Sequence, residues 1–389
     1  MKTLLKNGLL YTMTRDPYLG DILIEDGRIA TVAERIPAGG AEIIDLMGKH
    51  VLPGFIDAHC HIGMWEDGMG PEGADGNEYP HPLTPECRGI DGLNPFDPCF
   101  QEALQAGVTT VVTGPGSANV IGGTFAALKT AGRGLDEMLV KDPIAMKAAL
   151  GENPKHHGDK TKSPHTRMAV AALFRQAMAD AREYGRKMAD PDQSKRPDRH
   201  IGREALLPVL DGSLPLKIHA HRADDILTAL RLAEEFRLRV SIEHCTEGYL
   251  IADILREKLT SQGVGVIIGP LLIERSKIEM RRLSFDSARI LHDAGIEFAI
   301  MTDHPCIPIQ YLPIEAALAV RAGLDERTAL MAITRTAARI VGLGDSVGTL
   351  EPGKDADIGV FSAHPFELRA RCEMTFVRGK LVWSASTPA

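Results

Sequence analysis

The chain has 389 residues, of which 44% are hydrophobic and 25% are charged, and this composition is typical of a soluble globular protein. The formal net charge of -8 argues against a surface for nucleic acid or for an anionic membrane, since either needs a basic excess. Apolar runs stay shorter than the roughly 18 residues of a membrane span, and polar residues interrupt the N-terminus before a signal-peptide core can form, so we expect a cytoplasmic protein.

The first fifty residues are predicted to form short strands. Apolar segments at 22–25 and 28–32 flank the dipeptide Asp26-Gly27. This dipeptide is a strong hairpin signal, because both turn positions require a positive φ. The N-terminal region is therefore predicted to begin with an antiparallel pair of strands.

Strand-like segments recur near the C-terminus, at 356–361, 375–377 and 380–383. Neither end of the chain has enough apolar residues to form a core of its own. We therefore predict one small β-sandwich domain that both termini build together, from residues 1–52 and 346–389.

Between the two ends, apolar runs alternate with helical stretches. This pattern predicts an α/β domain over residues 53–345, with parallel strands joined by crossover helices. The runs lack polar alternation, as expected for strands that are covered on both faces. The clearest runs lie at 108–113, 216–219, 240–243, 264–268 and 298–302, and the clearest helical stretches lie at 226–236 and 328–341.

The strongest motif is PGFIDAHCH at residues 53–61. Residues i and i+2 of a strand point to the same side, so His59 and His61 are predicted to face one side of the sheet while Cys60 points away. Two imidazoles at a strand end form half of a site for Zn²⁺ or a similar metal. The glycine-rich segment that follows strengthens this interpretation over that of two structural histidines.

This motif resembles the first barrel strand of the amidohydrolase superfamily. The segments GVTTV at 107–111 and GTLEPGKDAD at 348–357 are also similar to that superfamily, and within it the likeness is greatest to the group of imidazolonepropionase and the related metal-dependent dipeptidases. The resemblance implies a (β/α)₈ TIM barrel with a small β-sandwich formed by both termini.

The central region exceeds the roughly 250 residues that are typical of such barrels. The excess lies in a polar insertion near 151–205, around one helix predicted at 166–188. A Lys/His-rich run at 155–162 is interpreted as a segment that attracts an anionic substrate, as a lid or as a solvated loop.

The resemblance also implies further metal ligands at later strand ends. His219 and His244 match the histidines of the fifth and sixth barrel strands. His221 has the same parity as His219, and its position one pleat further out predicts a contact with substrate. Asp303 matches the aspartate of the eighth strand, which contacts the metal and takes a proton from the attacking water. His304 is a second candidate for substrate binding.

The fourth strand offers two candidate ligands, Lys147 and Glu152. Many relatives carry a lysine there that CO₂ carboxylates so that it bridges two metals, whereas others use a glutamate. Lys147 lies within an apolar run, where burial of an ordinary ammonium is costly, and we favour it. Glu152 stays the alternative because it lies nearer the strand end, where barrel active sites form.

These patterns predict a metal-dependent hydrolase of a small-molecule substrate. One or two divalent metals per chain are expected, with Zn²⁺ as the first candidate. The expected reaction is cleavage of a carbon–nitrogen bond in a dipeptide-like compound, an N-acyl amino acid or a cyclic amide. The alternative is a deaminase of a cyclic amidine, and a non-catalytic assembly subunit is disfavoured because the ligand set is intact. The sequence leaves open whether the chain forms a homo-oligomer.

Overall fold

The computed structural model describes residues 2–155 and 164–385. Most of the Lys/His-rich run of the insertion, residues 156–163, lies outside the described residues. None of the helices in the described ranges combines the length and the apolar composition that crossing a bilayer requires.

The strands are β1 (Lys2–Leu10), β2 (Tyr18–Glu25), β3 (Arg28–Ala33), β4 (Glu42–Asp45), β5 (His50–Pro53), β6 (Phe55–Cys60), β7 (Val108–Thr113), β8 (Ile121–Lys129), β9 (Leu139–Ala149), β10 (Leu216–Ala220), β11 (Val240–His244), β12 (Gly265–Ile268), β13 (Ala299–Ile300), β14 (Ile358–Phe361), β15 (Cys372–Val377) and β16 (Lys380–Ser384). The helices are α1 (Cys99–Gln105), α2 (Leu135–Met138), α3 (Glu152–Lys155), α4 (Arg167–Met188), α5 (Ile201–Leu210), α6 (Ala223–Phe236), α7 (Ala252–Gln262), α8 (Ser287–Asp293), α9 (Leu312–Arg321), α10 (Glu326–Ala332) and α11 (Arg335–Ile340).

Strands from both termini form one eight-stranded sheet, in the order β16-β15-β14-β5-β1-β2-β3 with β4 paired to β1. The predicted hairpin joins β2 to β3 in antiparallel register, and its turn residues Asp26 and Gly27 have φ values of 49° and 82°. The two ends share a core, since Ile22 and Leu5 pack in the same buried cluster as Ile358. This joint β-structure of the two termini was predicted from their shortage of apolar residues.

The second sheet is the barrel, in the order β13-β12-β11-β10-β9-β8-β7-β6. The predicted α/β barrel is confirmed, with one difference: β8 runs antiparallel to both of its neighbours. The connections before and after β8 are shorter than the dozen or more residues that a parallel crossover needs. The chain therefore turns back on itself twice at this point.

The barrel closes between β6 and the end of β13 through the buried carboxylate of Asp57. One carboxylate oxygen of Asp57 accepts hydrogen bonds from the backbone N–H and the hydroxyl of Thr302, at 3.2 and 2.5 Å. The other oxygen accepts the N–H of His59 at 3.1 Å. Burial raises the pKa of Asp57 to about 7. This carboxylate joins the first strand to the last, directly beneath the predicted metal ligands.

Two helical predictions have different outcomes. The insertion contains α4, which begins after Thr166, whose side chain accepts the N–H of Ala169 as an N-cap. The stretch predicted as one helix at 328–341 is instead the two short helices α10 and α11. The backbone breaks at Thr334, where φ and ψ are -137° and -99°. Single-sequence periodicity missed this break because the apolar pattern continues through it.

The 348–357 motif attaches the terminal sheet to the barrel. The side chain of Lys129, at the end of β8, is 1% exposed. Its ammonium pairs with Asp355 at 3.0 Å and hydrogen-bonds to Asp357. Asp357 also accepts the backbone N–H of Arg378 at 2.8 Å. The aspartates of the motif therefore neutralise a buried cation at the boundary between the two sheets.

Replacing Lys129 with alanine is expected to lower the free energy of unfolding by about 3–5 kcal/mol, because its removal leaves the buried Asp357 and the partly buried Asp355 without their countercharge. Lys2→Ala is the matched control. Lys2 pairs with Glu25 at 2.8 Å, but its side chain is 55% exposed, so its removal should leave stability nearly unchanged. Urea titration followed by circular dichroism measures both. Equal stability of the two variants would contradict this role for Lys129.

Candidate metal centre

His59 lies near the end of β6 with both ring nitrogens engaged. Its Nδ1 donates to the Glu243 carboxylate at 2.8 Å. Its Nε2 lies 3.5 Å from Asp303 Oδ1 and 3.2 Å from Lys147 Nζ. A carboxylate that holds the far nitrogen of an imidazole is the usual support of a metal-binding histidine, because it fixes the tautomer and the ring orientation.

His61 is oriented in the same way by a backbone carbonyl. Its Nδ1 donates to Gly114 O at 2.7 Å, and its Nε2 faces Asp303 Oδ1 at 3.2 Å. A carbonyl only accepts, so the ring proton lies on Nδ1 and the Nε2 lone pair faces a carboxylate oxygen. Two acceptors at this distance repel one another unless a cation or a proton lies between them.

His219 and His221 follow one another on the same side at the end of β10. Their ring centroids are 4.7 Å apart, and the His244 ring lies 4.3 and 4.4 Å from them. Each of the three histidines offers one ring nitrogen, and these three nitrogens lie within 4.8 Å of one another. His221 is 3% exposed, so it is an interior residue and not part of a solvated loop.

His244 and Asp303 both have a left-handed backbone, with φ values of 67° and 52°. Strand alternation would direct His244 away from the side that Glu243 faces. The left-handed turn at His244, which continues at Cys245 with a φ of 48°, directs its ring back towards the other ligands. Its Nδ1 donates to Gly269 O at 2.9 Å, which leaves its Nε2 bare. Unfavourable backbone at strand ends of this kind is characteristic of functional sites.

The ionisation states favour cation binding. Burial lowers the pKa of His244 to about 4 and holds those of His59, His219 and His221 well below the ordinary imidazole range, so these rings are neutral, as metal ligands must be. Burial works to raise the pKa of Asp303. The nearby His244, His61 and Lys147 outweigh burial and hold this pKa below the ordinary carboxyl range. The centre therefore presents neutral imidazoles beside an ionised carboxylate.

Of the two fourth-strand candidates, the structure brings Lys147 to the histidines. Lys147 is fully buried on β9, and burial lowers the pKa of its amine to about 8. A larger neutral fraction makes this amine more available for carboxylation than an exposed lysine. Glu152 lies at the start of α3, where its contacts run to Glu279, and it belongs to none of the three groups of converging ligands among the described residues.

His304 is buried and lies just after β13 in the chain. Its Nδ1 accepts the N–H of Ile309 at 3.1 Å, so its proton lies on Nε2. One ring nitrogen lies within 4.8 Å of ligand atoms of Asp97 and Cys99. Because Nε2 carries the proton, we interpret it as a hydrogen-bond donor and not as a metal ligand.

The sequence analysis did not identify Glu243, Lys217 or Glu279. Lys217 Nζ pairs with the Glu243 carboxylate at 3.0 Å, below His59. The available signal was a charged residue inside an otherwise apolar strand, in KIH for Lys217 and in IEH for Glu243. Glu279 carries no such signal, since it lies in a polar segment that follows β12.

The fit of a divalent metal follows from these tautomers. Nδ1 of His59, His61 and His244 donates to an acceptor in each case, so Nε2 is the unprotonated nitrogen of each neutral ring. His59, His244 and Asp303 each offer one ligand atom, all within 4.8 Å of one another. Two unprotonated nitrogens beside an ionised carboxylate, in a largely buried site, suit Zn²⁺ or a similar cation.

Comparisons with known proteins place this geometry in context. The amidohydrolase family matches residues 50–382. Amidohydrolase tasK of Hapsidospora irregularis is 29% identical over 97% of this chain, which spans 43% of the length of that relative. The imidazolonepropionase of Paracoccus denitrificans is 26% identical, and the match covers 93% of each chain. A solved amidohydrolase from Thermotoga maritima superposes with a TM-score of 0.95 at 40% identity, over 98% of this chain and 100% of that one.

Proposed function

The chain belongs to the amidohydrolase family, and on that premise we propose that it hydrolyses an amide bond of a small substrate, with a divalent metal and with Asp303 as general base. Membership confirms the resemblance seen in the sequence motifs and makes the chain a hydrolase that acts on carbon–nitrogen bonds. We propose as substrate a dipeptide-like compound, an N-acyl amino acid or a cyclic amide.

The observation that carries this proposal is the set of bare Nε2 atoms around Asp303. We assign His59, His61 and Asp303 as ligands of a divalent metal, with Lys147 beside them. His219 and His244 are assigned to the same centre. When bound, the metal supplies an activated water and polarises the carbonyl under attack.

The residues of the chain supply proton transfer and orientation. Asp303 is ionised at neutral pH, so it accepts a proton from the attacking water and returns it to the leaving nitrogen. Glu243 and Gly114 O hold the two imidazoles of the first strand in their tautomers. His304 Nε2 is buried and has no acceptor among the described residues, and we propose that it donates to the substrate.

The test is hydrolysis by the zinc-loaded protein of a panel of dipeptides, N-acyl amino acids, cyclic amides and cyclic amidines. We expect a new carboxylate together with an amine, and loss of the activity when a chelator removes the metal. Zinc added back should restore it. Release of ammonia from a cyclic amidine, with no amide cleaved, would instead establish the deaminase. Turnover that persists after complete metal removal would overturn the metal-dependent mechanism.

A further inference from the structure

A cavity of about 490 Å³ opens at the end of the barrel opposite the metal centre. Pro215, just before β10, and Val240, at the start of β11, both line this cavity, whereas the histidines of these strands lie at the far ends. The reaction of a TIM barrel takes place at the carboxyl ends of its strands. A ligand of this cavity is therefore not the substrate of the metal centre.

We propose that this cavity is a second ligand site, which binds a small organic anion with an apolar body and one carboxylate. Its volume falls within the roughly 300–1,000 Å³ of small-molecule sites, which combine an apolar interior with a few polar groups. Both parts are present in this cavity. The inference is independent of the proposed metal-dependent hydrolysis.

The floor of the cavity is apolar. It is formed by Val112, Ile144 and Ala145, which belong to a buried cluster inside the barrel and are at most 3% exposed. Ile340 and Val341 also line the cavity and pack against the same cluster. An apolar ligand body that lies on this floor removes apolar surface from water, which favours binding.

Small residues keep this end of the barrel open. Ala145 precedes Lys147 by two residues on β9, so the two side chains point to the same side of the strand, and the short side chain of Ala145 leaves space below Lys147. Gly265, at the start of β12, also lines the cavity. A Cβ there would lie 3.0 Å from Ile340 Cγ2 and 3.2 Å from Ser241 Cβ, so a larger residue would narrow the opening.

Cationic side chains line the cavity from three elements, with Lys141 on β9, Arg239 before β11 and Arg339 in α11. Arg339 pairs with Glu297, which lines the same cavity. Lys141 makes no ion pair among the described residues, and Arg239 donates to a backbone carbonyl, Gly212 O, at 3.0 Å. Two cations of the described lining are thus left without an acidic partner, and one carboxylate is the matching ligand group.

A buried ion pair separates the cavity from the metal centre. Lys217 lines the cavity and is 3% exposed, and its Nζ pairs with the Glu243 carboxylate at 3.0 Å. Glu243 in turn accepts from His59 Nδ1. Because Glu243 already neutralises Lys217, the charge that attracts the ligand comes from Lys141 and Arg239. Ligand binding therefore needs no metal ion.

The test is isothermal titration calorimetry with octanoate as the probe, on the zinc-loaded full chain and again after a chelator has removed the metal. We expect one octanoate bound per chain in both states. Octanamide has the same apolar chain without the charge. It should bind at least about 10-fold more weakly, because hydrogen bonds to a charged group contribute at least this factor.

Substitutions in the cavity locate the probe. Lys141→Gln and Arg239→Gln should each weaken octanoate binding by about 10-fold or more, and since both side chains are exposed, their replacement leaves the core intact. Ala145→Leu fills the floor and should weaken binding by at least as much. Arg175→Gln is the matched control and should bind as the wild type does, because Arg175 is a 43% exposed arginine of α4 that pairs with Glu235, away from the cavity.

Unchanged octanoate affinity in Lys141→Gln, Arg239→Gln and Ala145→Leu would overturn the inference. So would equal affinities for octanoate and octanamide, or an absence of octanoate binding to the wild type. Binding that disappears when the metal is removed would also overturn it, because the probe would then lie at the metal centre. None of these outcomes affects the proposed hydrolysis, which the substrate panel tests separately.

Discussion

Asparagine at position 303 is expected to abolish turnover while the fold and much of the bound metal remain. Asparagine keeps the shape and one oxygen donor of Asp303, but it cannot accept a proton. General-base contributions are typically about 10²–10⁴-fold in rate, and we expect kcat to fall within that range. The measurement is kcat at saturating zinc, because loss of the negative charge also weakens metal binding.

The pH dependence provides a second readout for Asp303. Its neighbours hold the pKa of Asp303 below the ordinary carboxyl range, so the base is ionised at neutral pH and its deprotonated form is the active one. The wild-type rate should rise with pH through an ionisation that the attacking water and Asp303 share as a coupled pair. Asp293→Asn, an exposed aspartate of α8, is the control and should match the wild type. An Asp303→Asn rate within tenfold of the wild type, with zinc bound, would remove this residue from the mechanism.

His59→Ala and His61→Ala are each expected to remove metal and activity together. Each variant deletes one of few ligands, and such a site loses its affinity when one is lost. We expect His59→Ala to lower zinc content and turnover further than His61→Ala does. The buried Glu243 carboxylate accepts a hydrogen bond from His59 Nδ1 at 2.8 Å, and His59→Ala also removes this donor. Zinc content per chain and turnover of the same preparations measure the result.

The control for the imidazole pair is His292→Ala, because His292 is an exposed histidine of α8. It should keep its zinc and its rate, which separates the loss of one specific site from a general loss of histidine. Normal zinc content with normal turnover in either His59→Ala or His61→Ala would refute the assignment of these two histidines as metal ligands.

Much of the fold followed from local patterns. The dipeptide Asp26-Gly27 needs no tertiary context to form its turn, and the apolar runs at 108–113 and 240–243 became β7 and β11. Strand parity was enough to expect His59 and His61 on one side of β6. In each case the property that decides the structure is contained within a few consecutive residues.

The rest depends on long-range contacts that one sequence does not display. The strand β8 is an exception with a local cause, because its Gly122-Gly123 pair weakened the strand signal. The ring of His244 reaches the centre through a left-handed backbone, which alternation cannot anticipate. Glu279 lies 60 residues beyond His219 in numbering and meets it only because the segment that follows β12 lies against the end of β10.

The sheet built from both termini has a consequence for the biosynthesis of the protein. Strand β5 pairs with β1 on one side and with β14 on the other. About 300 residues separate β5 from β14, and at the usual 5–20 residues per second a ribosome needs roughly 15–60 s to make them. During that interval the nascent chain carries an unpaired strand edge, which is a template for aggregation. Because the native partner β14 has not yet been synthesised, that edge stays open to a chaperone or to a non-native strand during the interval.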